Sequence, residues 1–181
     1  MRRALLPLLL ACGPALAQPA PSRPATDQLL SALKAAPDEQ VAAALETRIE
    51  QAWLNAGSPA VTLLMSRALR EMSSGAQAEA LDDFDAVLDL DPELAEAYAR
   101  RAVARFDTGD INGAIADVQQ ALKREPRHFE AFQILSRIAE NRGNLKGAFA
   151  AWQKVLEIDP HTPGGAARLN ELRKKAFGEE T

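Results

Sequence analysis

The chain has 181 residues, of which 47% are hydrophobic and 25% charged, with a formal net charge of −4. That balance describes one globular domain of ordinary size and excludes the strongly basic surface that nucleic acid or an anionic membrane would need as main partner. Only 5% of residues are aromatic and alanine dominates the apolar set, which favours closely packed helices over a sheet.

Residues 1–17 read as a bacterial secretory signal: Arg2 and Arg3 give a positive start, residues 4–11 a short apolar stretch, and Ala15-Leu16-Ala17 a small-residue cleavage pattern. The apolar stretch is far short of the roughly 20 residues that span a bilayer, and no later segment is long or apolar enough. The expected location is therefore periplasmic or secreted, after cleavage near Ala17. The alternative is a lipid anchor through Cys12, because Leu9-Leu10-Ala11-Cys12 resembles a lipobox. Cys12 is the only cysteine, so cleavage after Ala17 leaves no thiol for a disulfide, a nucleophile or a metal.

Residues 18–26 contain Pro19, Pro21 and Pro24 and predict an extended, disordered tether. From Asp27 the apolar residues recur at helical spacing, with Leu29, Leu30 and Leu33 before Pro37, then Val41, Leu45, Ile49 and Trp53 after it. Residues 27–57 are thus expected to form an N-terminal helical hairpin, with Asp38 and Glu39 at the positive end of the second helix dipole.

Next comes the strongest pattern in the chain. Gly75, Gly109 and Gly143 stand 34 residues apart, and the same spacing relates Ala80, Ala114 and Ala148, and again Pro92, Pro126 and Pro160. Self-similarity at this period predicts stacked helical hairpins, here over residues 58–91, 92–125 and 126–159. Each glycine falls just past an apolar-periodic run, where the chain must take positive φ to leave a helix. Asp110 and Asn144 follow as N-caps, and each alanine lets two helix axes approach. Phe84, Val118 and Trp152, also 34 apart, are expected to fill the core. Arg67 with Asp83, and Arg101 with Asp117, are expected to pair inside their hairpins, since the third hairpin replaces both partners at once, with Leu135 and Ala151. Residues 160–181 predict one amphipathic capping helix and a tail, with Ala166, Leu169, Leu172 and Ala176 on one face.

Few residues offer chemistry. His128 and His161 are the only imidazoles, and a solvated position at a helix start is expected for both. The acidic run from Asp82 to Asp91 lies mostly within a helix and lacks the alternating loop of a calcium site. The glycines serve turns and form no phosphate loop. No catalytic residue, cofactor or metal is expected, and a metal-dependent enzyme working through the two histidines is the remote alternative.

Tyr98, Ala102, Gly109, Ala114, Ala121 and Pro126, and then Phe132, Leu135, Ser136, Gly143, Ala148, Trp152 and Pro160, resemble the tetratricopeptide repeat. Residues 58–91 depart from it at Leu64, where an aromatic is usual, and residues 27–57 lack the Gly, Ala and Pro landmarks and are either a divergent repeat or a cap. The resemblance implies an all-α solenoid of about three tandem antiparallel hairpins, flanked by the N-terminal hairpin and the C-terminal capping helix.

It also implies a concave groove along the first helices, at Met65, Leu69 and Met72, then Glu96, Ala99, Arg100 and Val103, then Glu130, Gln133, Arg137 and Asn141. Some family members grip a C-terminal carboxylate there, but Met65 and Leu69 stand where the polar groups of that clamp would be. The expected function is a non-catalytic scaffold or adaptor of the bacterial cell envelope, with a protein or peptide in the groove. Self-association into a homo-oligomeric assembly subunit is the alternative.

Overall fold

The computed structural model describes residues 23–178, which form nine helices and no strand. The signal, the lipobox and residues 18–22 of the expected tether lie outside the described residues. The first helix, α1 (Arg23–Lys34), begins inside the stretch expected to be a tether. Pro24 does not prevent this, because in a first helical turn its missing amide has no partner to lose. The others are α2 (Glu39–Leu54), α3 (Pro59–Ser74), α4 (Gln77–Leu90), α5 (Ala95–Asp107), α6 (Ile111–Arg124), α7 (Phe129–Asn141), α8 (Leu145–Ile158) and α9 (Gly165–Phe177).

Helices α3 to α8 form three hairpins, α3 with α4, α5 with α6 and α7 with α8, stacked side by side. The chain leaves the first helix of each through a glycine at φ +83°, +87° and +73°, at Gly75, Gly109 and Gly143, a conformation that would strain any residue with a Cβ. The second helices then start on side-chain caps: Asp110 accepts the Gly113 amide at 2.9 Å and Asn144 the Gly147 amide at 3.0 Å. Ala80, Ala114 and Ala148 are completely buried where the helices of each hairpin cross. Phe84 and Val118 fill the space beside two of them. Trp152 is only half-buried, and its indole N–H donates to the Gly165 carbonyl, tying α9 to the stack.

Helix α5 packs against both α3 and α7, while the second helices α4, α6 and α8 stand further apart, so the stack curves with its first helices inward. Helix α9 closes the C-terminal end by covering α8, with Leu172 fully buried and Phe177 edge-on to Phe149. Ala166 stays exposed, outside that contact.

The N-terminal hairpin does not extend this stack. It lies back along it, α1 against α8 and α2 against α5 and α7, so that Leu30, Leu33, Ile49 and Trp53 share a core with Phe129 and Ile158. Asp38 caps α2 by accepting the Val41 amide at 2.9 Å, and the α1–α2 turn is held at the far end by His161, whose Nε2 meets the Ala36 carbonyl at 2.9 Å.

Candidate functional site

Both expected ion pairs form. Arg67 makes a two-pronged contact with Asp83, and Arg101 reaches both oxygens of Asp117 at 2.9 and 2.7 Å. Hydrogen bonds from Arg67 hold the Asp83 carboxyl below its usual range. Arg105 adds a second cation to Asp117 at 2.9 Å, and Arg101 reaches back to Asp85 of the preceding hairpin. In the third hairpin, Ser136 replaces this polar link by donating to the Ala148 carbonyl at 2.9 Å.

The inner face of the first helices is the candidate groove, and the eleven residues assigned to it fall in different environments, with Glu96 and Ala99 buried rather than lining it and Glu130 half-buried beside Arg100. Met65, 1% exposed, is in the core of the first hairpin with Ala68 and Phe84; Leu69 and Met72 are half-buried against that same core. Arg100 is committed inside the protein, as described below. Val103 and Gln133 are half-buried, and Arg137 and Asn141 are exposed. Arg137 lies over the Phe106 ring at 4.8 Å and contacts Asp107 at 3.3 Å. Phe106 joins the strip by standing one turn after Val103, a spacing visible in the sequence.

A second site is buried under α2. Glu96 at the start of α5 and His128 at the start of α7 are both 0% exposed, with His128 Nε2 3.0 Å from Glu96 Oε2. His128 is therefore not the solvated histidine expected. It caps α7 by accepting the Ala131 amide, and Trp53 of α2 stacks on its ring at 4.1 Å with 18° between planes, shutting out water. Arg100 donates to Glu96 at 2.5 Å and lies 2.8 Å from Glu130, an ion pair without full hydrogen-bond alignment. Glu50 of α2 and Glu96 add further charge around Arg100, and Glu46 of α2 faces Asp159.

Burial raises Glu130 to about 7, with Glu96 adding repulsion and Arg100 opposing it. Burial raises Glu46 to about 8, reinforced by Asp159. Burial pushes Glu96 up too, but His128 and Arg100 outweigh it and hold this carboxyl below its usual range.

Glu96, His128 and Glu130 place one ligand atom each within 4.8 Å of one another, as a metal would require. The protonation pattern serves a different purpose. With Nδ1 accepting the Ala131 amide, Nε2 carries the proton and donates to Glu96, so the ring keeps no lone pair for an ion. Arg100 fills the cation position between the two glutamates.

Residues 99–163 match the family model described as tetratricopeptide repeat. These residues carry tetratricopeptide repeats. A TPR repeat-containing protein of Rhizobium etli is 34% identical over 84 residues, which is 46% of this chain and 41% of that protein, so the chain spans about two fifths of its relative's length. Three solved structures share the fold of the repeats at low identity. The first TPR of Spaghetti (RPAP3), bound to the HSP90 peptide SRMEEVD, is 20% identical with a TM-score of 0.61 over 65% of this chain and 94% of that one. The Arabidopsis OM64 TPR domain is 18% identical, with a TM-score of 0.60 over 64% and 95%. The Sgt2 TPR domain from Aspergillus fumigatus is 22% identical, with a TM-score of 0.61 over 65% and 80%. No helix among the described residues is long and apolar enough to cross a membrane.

Proposed function

We propose that this chain is a non-catalytic scaffold of the bacterial cell envelope that holds a protein or peptide partner against the inner faces of α3, α5 and α7. The observation that carries this reading is the strip of Val103, Phe106, Gln133, Arg137 and Asn141, accessible in full or in part on helices that the fold turns inward. Apolar contact from Val103 and Phe106 beside the Arg137 guanidinium suits an extended polypeptide carrying a carboxylate next to an apolar side chain. A structural neighbour holds an acidic peptide, which supports this class of ligand. With Met65 in the core, the apolar contribution of α3 comes from the partly open Leu69 and Met72.

The signal-like start of the sequence supports an exported protein, and the mass of the mature chain tests it: cleavage after Ala17 leaves Gln18 first, whereas lipidation leaves Cys12 first. Affinity capture from periplasmic extract, comparing the native chain with an Arg137→Glu/Asn141→Glu variant, tests the groove. Loss of the captured partner is expected, and equal capture by both chains removes the groove from the proposal.

A further inference from the structure

The face by which each hairpin receives the one before it can be followed at 34-residue intervals. On α5 it contains Ala97 and Ala104, buried against Val87 and Leu88 of α4. On α7 it contains Ala131, buried with Ala121 of α6, and Ile138, buried with Val118 of α6. The matching residues on α3 are Leu63 and Arg70, and both are exposed, Leu63 to 67%. One exposed leucine is ordinary on any surface. This one occupies a position that is buried in the other two hairpins, and α2, the helix that precedes it, lies over α5 and α7 instead.

Charge describes what is missing. Arg101 binds Asp117 within its own hairpin and Asp85 on the preceding α4. Arg67 binds Asp83 in the same way and has Glu71 of its own helix at 3.7 Å, but it has no partner on a preceding helix among the described residues and its side chain stays 54% exposed. On α4, Leu81 and Leu88 pack into the cluster that contains Ala97 and Ala104, with Asp85 between them at i, i+4 and i+7 of one helix face.

Another copy of this chain fits poorly. The corresponding stripe on α8 is Phe149, Gln153 and Leu156, which has no carboxylate and lies under α9 through Phe177 and Gly165. A two-fold pairing of α3 with itself would bring Arg67 and Arg70 of one copy against the same two arginines of the other. We infer that the outer face of α3, at Leu63, Arg67 and Arg70, docks a helix of a different protein that presents two apolar residues flanking a carboxylate at i, i+4 and i+7. This surface is separate from the groove and does not depend on it.

The probe is a stapled peptide of about 15 residues, its helicity checked by circular dichroism, with Leu, Asp and Leu at those positions among Ala, Gln and Lys. Fluorescence anisotropy against the full chain should show saturable binding. Leu63→Glu in the protein, or Asp→Lys in the peptide, should each weaken it about tenfold or more, while Arg137→Glu leaves it unchanged. An unchanged melting temperature for Leu63→Glu would show that the variant folds. The proposal is overturned by no binding of the helical peptide, by equal binding to Leu63→Glu, or by loss of binding with Arg137→Glu. A concentration-dependent dimer abolished by Leu63→Glu would also overturn it, by giving the face to a second copy.

Discussion

Between α4 and α5 the packed surface is made by Val87, Leu88, Ala97 and Ala104, whereas under α2 it is made by Trp53 stacked on His128, with Glu96, Arg100 and Glu130 linked to that histidine through ion pairs. The first seam excludes water because small and apolar groups fit closely, and it recurs wherever the sequence repeats. The second excludes water over a set of charges that balance only partly, and it occurs once. Apolar seams hold their strength across pH; a charged seam holds only while its protons and partners are in place. The stack is thus a fixed frame, and the N-terminal hairpin is an attachment whose hold depends on conditions.

The largest effect should come from the frame. Phe84 is fully buried at the centre of the first hairpin, and Phe84→Ala removes a ring where the surrounding helices cannot close up. A loss of about 4 kcal/mol is expected in chemical denaturation, with α3 and α4 melting first. Trp53→Ala comes next, at about 3 kcal/mol, because it removes the ring that stacks on His128 and packs on Phe129. The two differ in location: hydrogen exchange should quicken across α1 and α2 in Trp53→Ala while α5 to α8 stay protected. Uniform loss of protection would mean that the hairpin is part of the frame, and the comparison would collapse.

Within the frame, Asp117→Ala removes the buried carboxylate that Arg101 and Arg105 share, leaving Arg101 with Asp85 and Arg105 with the more distant Asp110. Both arginines keep some access to water, so a loss of about 2 kcal/mol is expected, below the range for a fully buried pair. Arg101→Ala combined with Asp117→Ala should cost less than the sum of the two single changes, and strictly additive losses would rule the pairing out.

The frame was legible in the sequence because its rules are local. Glycine at positive φ, alanine at a helix crossing and a cap at the next helix each act within a few residues, and the 34-residue period repeats the message. The paired change at Leu135 and Ala151 likewise disclosed the Arg–Asp links. The seam under α2 joins residue 53 to residue 128 and residue 36 to residue 161, distances over which no periodicity acts. His128 therefore read as a solvated residue at a helix start, although the structure buries it completely. The groove was legible only in part. Helical spacing puts Met65, Leu69 and Met72 on one stripe, but which edge of that stripe α4 covers depends on the angle at which the hairpin closes, and Met65 falls on the covered edge.

The smallest and most specific effect is on pH. Glu130 of α7 is raised to about 7 and Glu46 of α2 to about 8; around them stand Glu50 on α2, Glu96 and Arg100 on α5, His128 on α7 and Asp159 after α8. A carboxyl raised in the folded state binds its proton more tightly there than in the unfolded chain. Its contribution is therefore complete below the ordinary value near 4.5 and is lost as pH rises through about 7 and then about 8. The attachment of α2 should weaken over that interval, because ionised Glu46 then faces Asp159 and ionised Glu130 faces Glu96. Hydrogen exchange of α1 and α2, corrected for intrinsic base catalysis, should accelerate relative to α5 to α8 between about pH 6 and pH 9. Glu46→Gln with Glu130→Gln keeps the shape of the uncharged side chains and should flatten that rise, leaving α2 held at pH 9 as firmly as at pH 6. A native chain whose α2 protection relative to α5 to α8 did not change over the same interval would show that the charges under α2 are balanced by Arg100 alone, and that the two seams hold by the same means.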